Sequence, residues 1–503
     1  MAIVKQYRVQ VDVQAWTPQG KYYHQDLMGD LKTIQTSKTT SQPYGTFTLT
    51  FTLREDQGGS WADKLVYRTY VEIRAGIGSG KPPILMRGFV DAPGQQMQMP
   101  GYPAGPQREV TVSGRDMGAI LADWQILYLW GIDPMATFFA ANIPGGSDAL
   151  IAQLGLNVAQ TNPNKLLSAF IEKLVNGPTT SASNPAQGAV TGLRQVIPAV
   201  PYFIPKLTIP DAYQINFLSL QPWQGAYSNF LDYFASPPWG EDFVLDEEDG
   251  PWIVVRQTPY KNYETGQYPL RYNGTPEELG FFPDIIVDAG DVTAHDITIN
   301  GANQLYTYYS TTPDLSSVTA QSYAQFFYVY QGSSTQAQII TPSQAQADQG
   351  NANDHVFAAT GGSSATGAPL QTNPAQASQP GSNPYFDPRA KYIGIRPLQL
   401  TTPWVSTLQA TFGPDAQKQV ADLNTWLVNV FAANDRFSSG TITCHGFPAA
   451  KVGRYVVVSP GTITSDPNPW EAYIQSVSHE IDLYSNNATW TMDLGVIRGR
   501  VRS

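Results

Sequence analysis

Apolar and polar residues alternate from the first residues of the chain. In Tyr7-Arg8-Val9-Gln10-Val11-Asp12-Val13 every second residue is apolar, and Phe47, Leu49, Phe51 and Leu53 alternate with Thr48, Thr50 and Thr52. A period of two predicts strands with one buried and one wet face. Further strands are expected at Thr69–Ala75, Ile84–Asp91 and Arg108–Ser113, separated by the Gly- and Pro-rich pieces Gly76–Pro83 and Pro93–Pro106. Short strands at this spacing imply an antiparallel barrel or sandwich.

The period then changes. Asp116 is placed to cap a helix whose stripe is Met117, Ile120, Leu121, Trp124 and Tyr128. Helices are also expected at Lys165–Leu174 and Tyr227–Phe234, with the Pro/Gly/Ser/Thr-rich stretch Gly177–Ala189 between them. Phe243–Arg256 reads as a hairpin whose acidic turn, Asp246–Gly250, lacks the alternating ligands and late Glu of a calcium loop. That turn is expected to be solvated.

Gly332–Pro388 is dominated by Gln, Ala, Ser, Thr, Gly, Asn and Pro. Such a stretch buries too little apolar surface to offset its own ordering entropy, so it predicts a loop that is flexible or held by neighbours. Order returns near Tyr392–Leu400, followed by a helix from Asp415 to Ala433 with Val420, Leu423, Leu427 and Val430 inward. The end of the chain is β again: Gly440–Gly446, Arg454–Ser459, Trp470–Ile481, and a last strand with Trp490, Met492 and Leu494 alternating against Thr489, Thr491 and Asp493.

Composition sharpens this picture. The 503 residues exceed what one core usually serves, so about two to four domains are expected. Hydrophobic residues make up 42% and charged residues only 14% of the chain, against about a quarter in ordinary soluble proteins. A surface so poor in charge suits a subunit of an assembly. The formal charge of −11, from 30 basic and 41 acidic side chains, argues against a general nucleic-acid-binding surface. It is compatible with a duct through which DNA slides.

Candidate chemistry fails at each position tested. Cys444 is the single cysteine, so no disulfide and no thiolate cage forms within one chain; it reads as a packed strand residue. Gly76-Ile77-Gly78-Ser79-Gly80-Lys81 has Ala75 where a phosphate loop needs its first Gly and Pro82 where it needs Ser or Thr. His479-Glu480 begins like a zincin motif, but Leu483 stands where the second histidine belongs. His24, His295, His355 and His445 are scattered without metal or triad spacing, and no Gly-x-Ser-x-Gly elbow appears. The sequon at Asn487 is read as accidental, because no secretory leader is recognisable and no apolar run reaches the ~18 residues of a membrane span. A non-enzymatic protein with no catalytic, cofactor-binding or metal-binding residues and no cofactor is expected.

Several segments in order resemble the phage tail baseplate hub family, the trimeric hubs that continue the tail tube of contractile tails and related injection systems. They are Arg87-Gly88-Phe89-Val90-Asp91; Val110-Thr111-Val112-Ser113-Gly114-Arg115-Asp116; the hairpin Leu245–Arg256 with its following Gln257-Thr258-Pro259; and Tyr392-Ile393-Gly394-Ile395-Arg396-Pro397-Leu398. The run from Asn434 through Gly440-Thr441-Ile442, Val452-Gly453-Arg454-Tyr455 and Tyr473–His479 to Arg498-Gly499 completes the set. The chain departs from the family's form at 131–222 and in the polar insertion, and it carries no sign of the fused spike or lysozyme domain of some relatives.

The resemblance implies an α+β, mainly β chain with two antiparallel tube-type β-barrels at opposite ends, mixed α/β middle domains and a polar insertion. The expected division is a first tube barrel at 1–116 and a mixed middle domain at 117–290. The first part of a second barrel follows at 291–331, the polar insertion at 332–390, a connecting segment with a helix at 391–435, and the rest of the second barrel at 436–503. Three subunits would present a pseudo-sixfold ring joining a hexameric tail tube to a threefold spike. The implied partners are a homotrimer, the tail tube protein, the central spike protein, baseplate wedge proteins and, as a further candidate, the tape measure protein. DNA would only pass through the lumen, and no integral membrane segment is implied. The implied location is the virion tail baseplate, assembled in the host cytoplasm. The alternative is another tail-tip structural component, a distal-tail or tail-associated protein of a non-contractile phage. On the hub reading the Thr-rich faces Thr46–Thr52 and Thr489–Asp493 are expected to line the bore or a ring-to-ring contact.

Overall fold

The structure, a computed structural model, describes residues 9–24, 30–52, 60–78, 80–98, 107–129, 163–177, 188–209, 223–269, 275–301, 304–306, 308–313, 327–330, 337–340, 396–404, 414–483 and 488–502. Most of the expected polar loop at 332–388, together with His355, Tyr392–Ile395 and Asn487, lies outside them.

The N-terminal segment forms β1 (Val9–Trp16), β2 (Tyr22–His24), β3 (Leu31–Thr39), β4 (Thr46–Thr52), the short helix α1 (Trp61–Lys64), β5 (Tyr70–Ile77), β6 (Ile84–Gln98) and β7 (Gln107–Asp116). The middle begins with α2 (Ala119–Asp123), β8 (Gln125–Leu129), α3 (Pro163–Phe170) running into a π-helical turn at Ile171–Val175, and α4 (Ala189–Val196). It continues with β9 (Ile204–Thr208), β10 (Trp223–Ala226), α5 (Tyr227–Ala235), β11 (Gly240–Glu247) and β12 (Gly250–Gln257). The remainder is β13 (Ile285–Val287), β14 (Val292–Ile299), β15 (Tyr308–Pro313), β16 (Phe327–Tyr330), β17 (Ala337–Ile340), β18 (Pro397–Thr402), α6 (Pro414–Phe431), β19 (Ser438–His445), β20 (Tyr455–Val458), β21 (Trp470–Asp482) and β22 (Thr489–Val501). No helix among the described residues is long and apolar enough to cross a membrane.

The helix expected after Asp116 is shorter than its stripe. Trp124 leaves α2 in an extended conformation, and residues 125–129 pair with β10 instead. Asp116 precedes the N-cap: its carboxylate accepts the Gly118 amide at 2.8 Å and is ion-paired with Lys38. The expected inward stripe of α5 (Tyr227, Phe230, Leu231 and Phe234) is buried, as are Leu423, Leu427 and Val430 of the α6 stripe, whose Val420 side chain lies outside the described residues.

The two expected barrels are not found. One 13-stranded sheet contains both ends of the chain, in the order β14-β19-β22-β21-β3-β4-β7-β6-β5-β1-β2, with β13 and β20 branching from β21. No pairing among the described residues closes it. The physical reason lies at β3 and β21, which pair antiparallel over Ser476–Asp482 and Thr33–Thr39. The edges that a closed N-terminal and a closed C-terminal barrel would need are used to join the two units. β6 makes the corner: it pairs with β5 up to Phe89, then with β7 as far as Gln98. The β1/β5 layer thereby folds over β3, β4 and β7. Val13, Ile73 and Ala75 from one layer and Ile34, Phe47, Leu49 and Val112 from the other share one core.

A second core lies under the C-terminal strands, where Ile442, Val456, Ile474, Met492 and Leu494 meet Phe243 and Leu245 of β11. The helices enclose a third around Phe170, Phe230, Phe234, Trp404 and Leu427. Two of the resembling segments have packing reasons for their residues. A Cβ on Gly114 would strike the Phe47 ring and the Phe89 carbonyl. Gly453 has φ +79° and lies against Phe243 and Arg256, a place that only glycine fills without strain. Arg498, 4% exposed, donates to the Val430 carbonyl at 2.7 Å and the Lys261 carbonyl at 3.0 Å, and so fastens α6 to the last strand.

Candidate functional surface

The alternating strands at both ends of the chain turn their polar sides onto one face. Register fixes this residue by residue. One row crosses the sheet as Ser113, Thr48, Gln35, Glu480, Thr491 and His445. A second row is Arg115, Thr46, Ser37, Ser478, Asp493, Thr443 and Ala294, and a third is Thr111, Thr50, Thr33, Asp482 and Thr489. The residues between these rows, such as Leu49, Ile34, Ile481, Trp490 and Met492, are buried on the other side. The two expected Thr-rich faces are therefore parts of one surface, joined at the β3–β21 seam.

The chemistry of this face is hydroxyl-rich and acidic. Thr443 donates to Asp493 at 2.6 Å and the Gln35 amide to Glu480 at 3.2 Å. Arg115 is the one Lys or Arg in the three rows, and its guanidinium is engaged by Asp91 at 2.5 Å and Asp123 at 2.8 Å. A groove of about 500 Å³ runs along the middle of the face between Thr46, Gln35, Glu480 and Asp493. With no unengaged Lys or Arg in these rows, phosphate contacts of the counterion-releasing kind have no donor here.

The face ends in two open edges. Among the described residues β14 pairs with β19 alone, and β6 from Ala92 to Gln98 pairs with β7 alone. β14 is exposed on both sides, and Ile299 at its end is 75% exposed. Proteins usually blunt such edges with Lys, Pro or a covering segment; β14 carries neither residue.

Behind the face, the acidic turn of the β11–β12 hairpin is exposed at Glu248 and Asp249, as expected of a solvated turn, but it is also tied to both ends of the chain. Asp246 is buried, and Glu248, half exposed, is nonetheless held: its carboxylate accepts Arg74 at 2.9 Å and the Ile84 amide at 2.8 Å. The Arg87 guanidinium donates to the Glu247 carbonyl at 2.5 Å, and the Arg87 amide to Asp246 at 3.2 Å. From the C-terminal unit Lys451 reaches Glu247 at 3.0 Å and the Asp246 carbonyl at 2.6 Å, and Arg454 reaches Glu247 at 3.3 Å. The turn clasps the N-terminal sheet to the C-terminal one. Burial raises the Asp246 carboxyl to about 6, against the opposing pull of Arg87. Burial also raises Glu248, but the Ile84 amide and Arg74 outweigh it and hold this carboxyl below its ordinary value. Arg74 and Arg87 were the legible signal for this clasp: each is a basic residue between apolar or small neighbours, Ile73 and Ala75 for the one and Met86 and Gly88 for the other.

The remaining candidate residues stay apart. Cys444 is fully buried in β19, and burial pushes its thiol up to about 12, which makes it unreactive. His479 is buried in β21, not on a helix; its Nδ1 accepts the Trp490 indole N–H at 3.3 Å, and burial lowers it to about 3. His24 pairs with Asp12 at 2.8 Å, while His295 and His445 are exposed. Among the described residues no group of three or more His, Cys, Asp or Glu is placed to hold a metal ion.

No family model matches this sequence, and no curated protein matches it. Among solved structures, the chain is similar to the 43 kDa tail protein of prophage MuSo2 from Shewanella oneidensis, at 12% identity over 97% of this chain and 98% of that one, with a TM-score of 0.44. It is similar to a tail protein from Neisseria meningitidis MC58 at 13% identity over 98% and 96% of the two chains, with a TM-score of 0.42. A third similarity is to prophage tail protein gp18 from Listeria monocytogenes EGD-e, at 9% identity over 96% and 94% of the chains, with a TM-score of 0.39.

Proposed function

We propose that this chain is a structural hub of a phage-type tail tip, in which three copies form a pseudo-sixfold ring and turn the hydroxyl-rich face toward a central channel. The observation that carries the reading is the continuous face itself. It spans four strands from the C-terminal unit (β14, β19, β22 and β21) and four from the N-terminal unit (β3, β4, β7 and the second half of β6). Three chains would then supply six four-strand sets, which suits a hexameric tube above and a threefold spike below. The open edges give the ring its joint: β14 of one copy alongside β6 of the next, from Gly94 to Gln98 beyond Pro93, pairs the free backbone groups of both edges. A wall of Thr, Ser, Gln, Asp and Glu gives DNA few charges to hold.

In this role the chain is a homotrimer whose neighbours are the tube, spike and wedge proteins, and it performs no catalysis. The test is to place lysine on the face, with Thr48→Lys and Thr491→Lys, in particles that carry the protein. Assembly should be unaffected and genome ejection slowed. Ejection at the parental rate would place the face elsewhere than on the channel.

A further inference from the structure

Lysine is uncommon on the inward side of a strand, yet Lys38 shares that side of β3 with Ile34 and Thr36, and its side chain is only 12% exposed. Its ammonium meets the carboxylate of Asp116, which is fully buried at the end of β7. Gly45 makes room for the encounter: a Cβ there would lie 2.8 Å from Lys38 Cδ and 3.1 Å from Asp116 Oδ2. A second carboxyl stands close by. The Arg87 amide donates to Asp246 Oδ2, and the Arg87 carbonyl accepts the Met117 amide at 3.0 Å, so Asp246 touches the strand beside Asp116. Asp246 Oδ1 is buried without a hydrogen bond among the described residues. Lys38 and Asp246 line one small cavity of about 40 Å³, together with Met86, Leu245, Val452 and Val477.

We infer that Lys38 and Asp116 condense to an intramolecular amide that staples β3 to β7 across β4, with Asp246 as the proton carrier. The buried ion pair is the reactant. Transfer of one proton from Nζ to the carboxylate makes both groups neutral, which a site held out of water favours. The Nζ lone pair then attacks Cγ of Asp116 and the Nζ–Cγ bond forms. Asp246 takes a proton from Nζ and returns it to the departing hydroxyl, the Cγ–O bond breaks, and one water leaves. Nothing is oxidised or reduced, and no other reactant enters. Groups held in contact react at effective concentrations of about 10⁵ M or more. Burial raises the Asp116 carboxyl above its ordinary value against the pull of Lys38, and raises Asp246 to about 6, where a carboxyl takes and returns a proton near neutrality. The cavity has room for the released water, which needs about 10–15 Å³. The staple rests on the packing of β3, β7 and the hairpin, and not on the hub reading.

The test is the intact mass of the denatured full chain, followed by tryptic mapping. The parent should be lighter than its sequence by one water. Trypsin should leave the bond after Lys38 uncut and release one branched peptide that joins 33–54 to 116–165. Lys38→Arg keeps the charge without the nucleophile and should have its full sequence mass. A positioned proton carrier contributes about 10²–10⁴-fold, so Asp246→Asn should condense at least about a hundredfold more slowly than the parent and be isolated at full mass. The mass of the parent decides the matter whether or not a variant folds. A parent at full sequence mass, a water loss confined to one linear peptide, or a branched peptide undiminished in Asp246→Asn would each overturn the assignment.

Discussion

Gln35 and Glu480 stand 445 residues apart in sequence and face each other across the pairing of β3 with β21, with the Gln35 amide donating to the Glu480 carboxylate at 3.2 Å. That contact marks the seam at which the two ends of the chain become one sheet. On its buried side the same seven-residue pairing sets Ile34 against Ile481 and Thr36 against His479. An exposed pair such as Gln35–Glu480 contributes little energy by itself. Its position matters because it carries the polar row from the N-terminal unit into the C-terminal one without a break.

The hairpin clasp predicts where the two units can be loosened. Arg87 is 4% exposed and ties β6 to the backbone of Glu247 and Glu248. Arg87→Ala leaves the Glu247 and Glu248 carbonyls without this donor and Glu72 with Arg74 alone, and loss of such buried hydrogen bonds costs about 1–3 kcal/mol. Urea unfolding should show a loss of this size. A loss below about 1 kcal/mol would mean that the clasp is replaced by water.

His479 predicts a pH dependence whose sign is fixed by its burial. Its folded value is about 3 against an ordinary 6.5, so the unfolded chain binds the proton first as pH falls. The stability that His479 contributes is present above about 6.5 and is lost progressively as pH falls toward 3. Asp246, raised to about 6, acts in the opposite sense: its ionisation destabilises the fold above that value, and this penalty is relieved as pH falls toward its ordinary 3.8. His479→Gln removes the first effect alone. Its stability relative to the parent should improve steadily from pH 6.5 to pH 4 in paired denaturation curves, and a difference independent of pH would contradict the assignment.

The open edge predicts a separation of folding from assembly. Ile299 is 75% exposed at the end of β14, so Ile299→Lys should change the stability of one chain by no more than about 0.5 kcal/mol. It should nevertheless abolish or strongly weaken the association of copies, since a lysine on an edge strand is a usual means of blocking further pairing. Sedimentation of the variant beside the parent decides this, and equal oligomers in both would remove β14 from the interface.

Local order was legible in the sequence; closure was not. Alternation in Thr46–Thr52 and Thr489–Asp493 was enough to say which side of each strand is wet, because a period of two leaves no choice of face. It carries no information about which edge meets which. The pairing of β3 with β21 is a contact between remote segments, and the same strands could have closed two separate barrels had Ile34 and Ile481 not shared a core. The clasp at the acidic turn was missed for a related reason. Asp246, Glu247 and Glu248 look solvated within their own segment, and only the arrival of Arg74, Arg87, Lys451 and Arg454 from elsewhere reveals the clasp. The stripe ending at Tyr128 failed as a helix because β10 offered residues 125–129 a partner that local periodicity does not record.

The most direct measurement of the central claim is particle imaging of the isolated 55.0 kDa chain together with its solution mass. A mass of three chains and a threefold ring with an open bore, walled by sheet, is the expected result. A compact single chain, or an assembly in which the face bearing Thr48 and Thr491 is buried against another subunit with no passage through the middle, would contradict it.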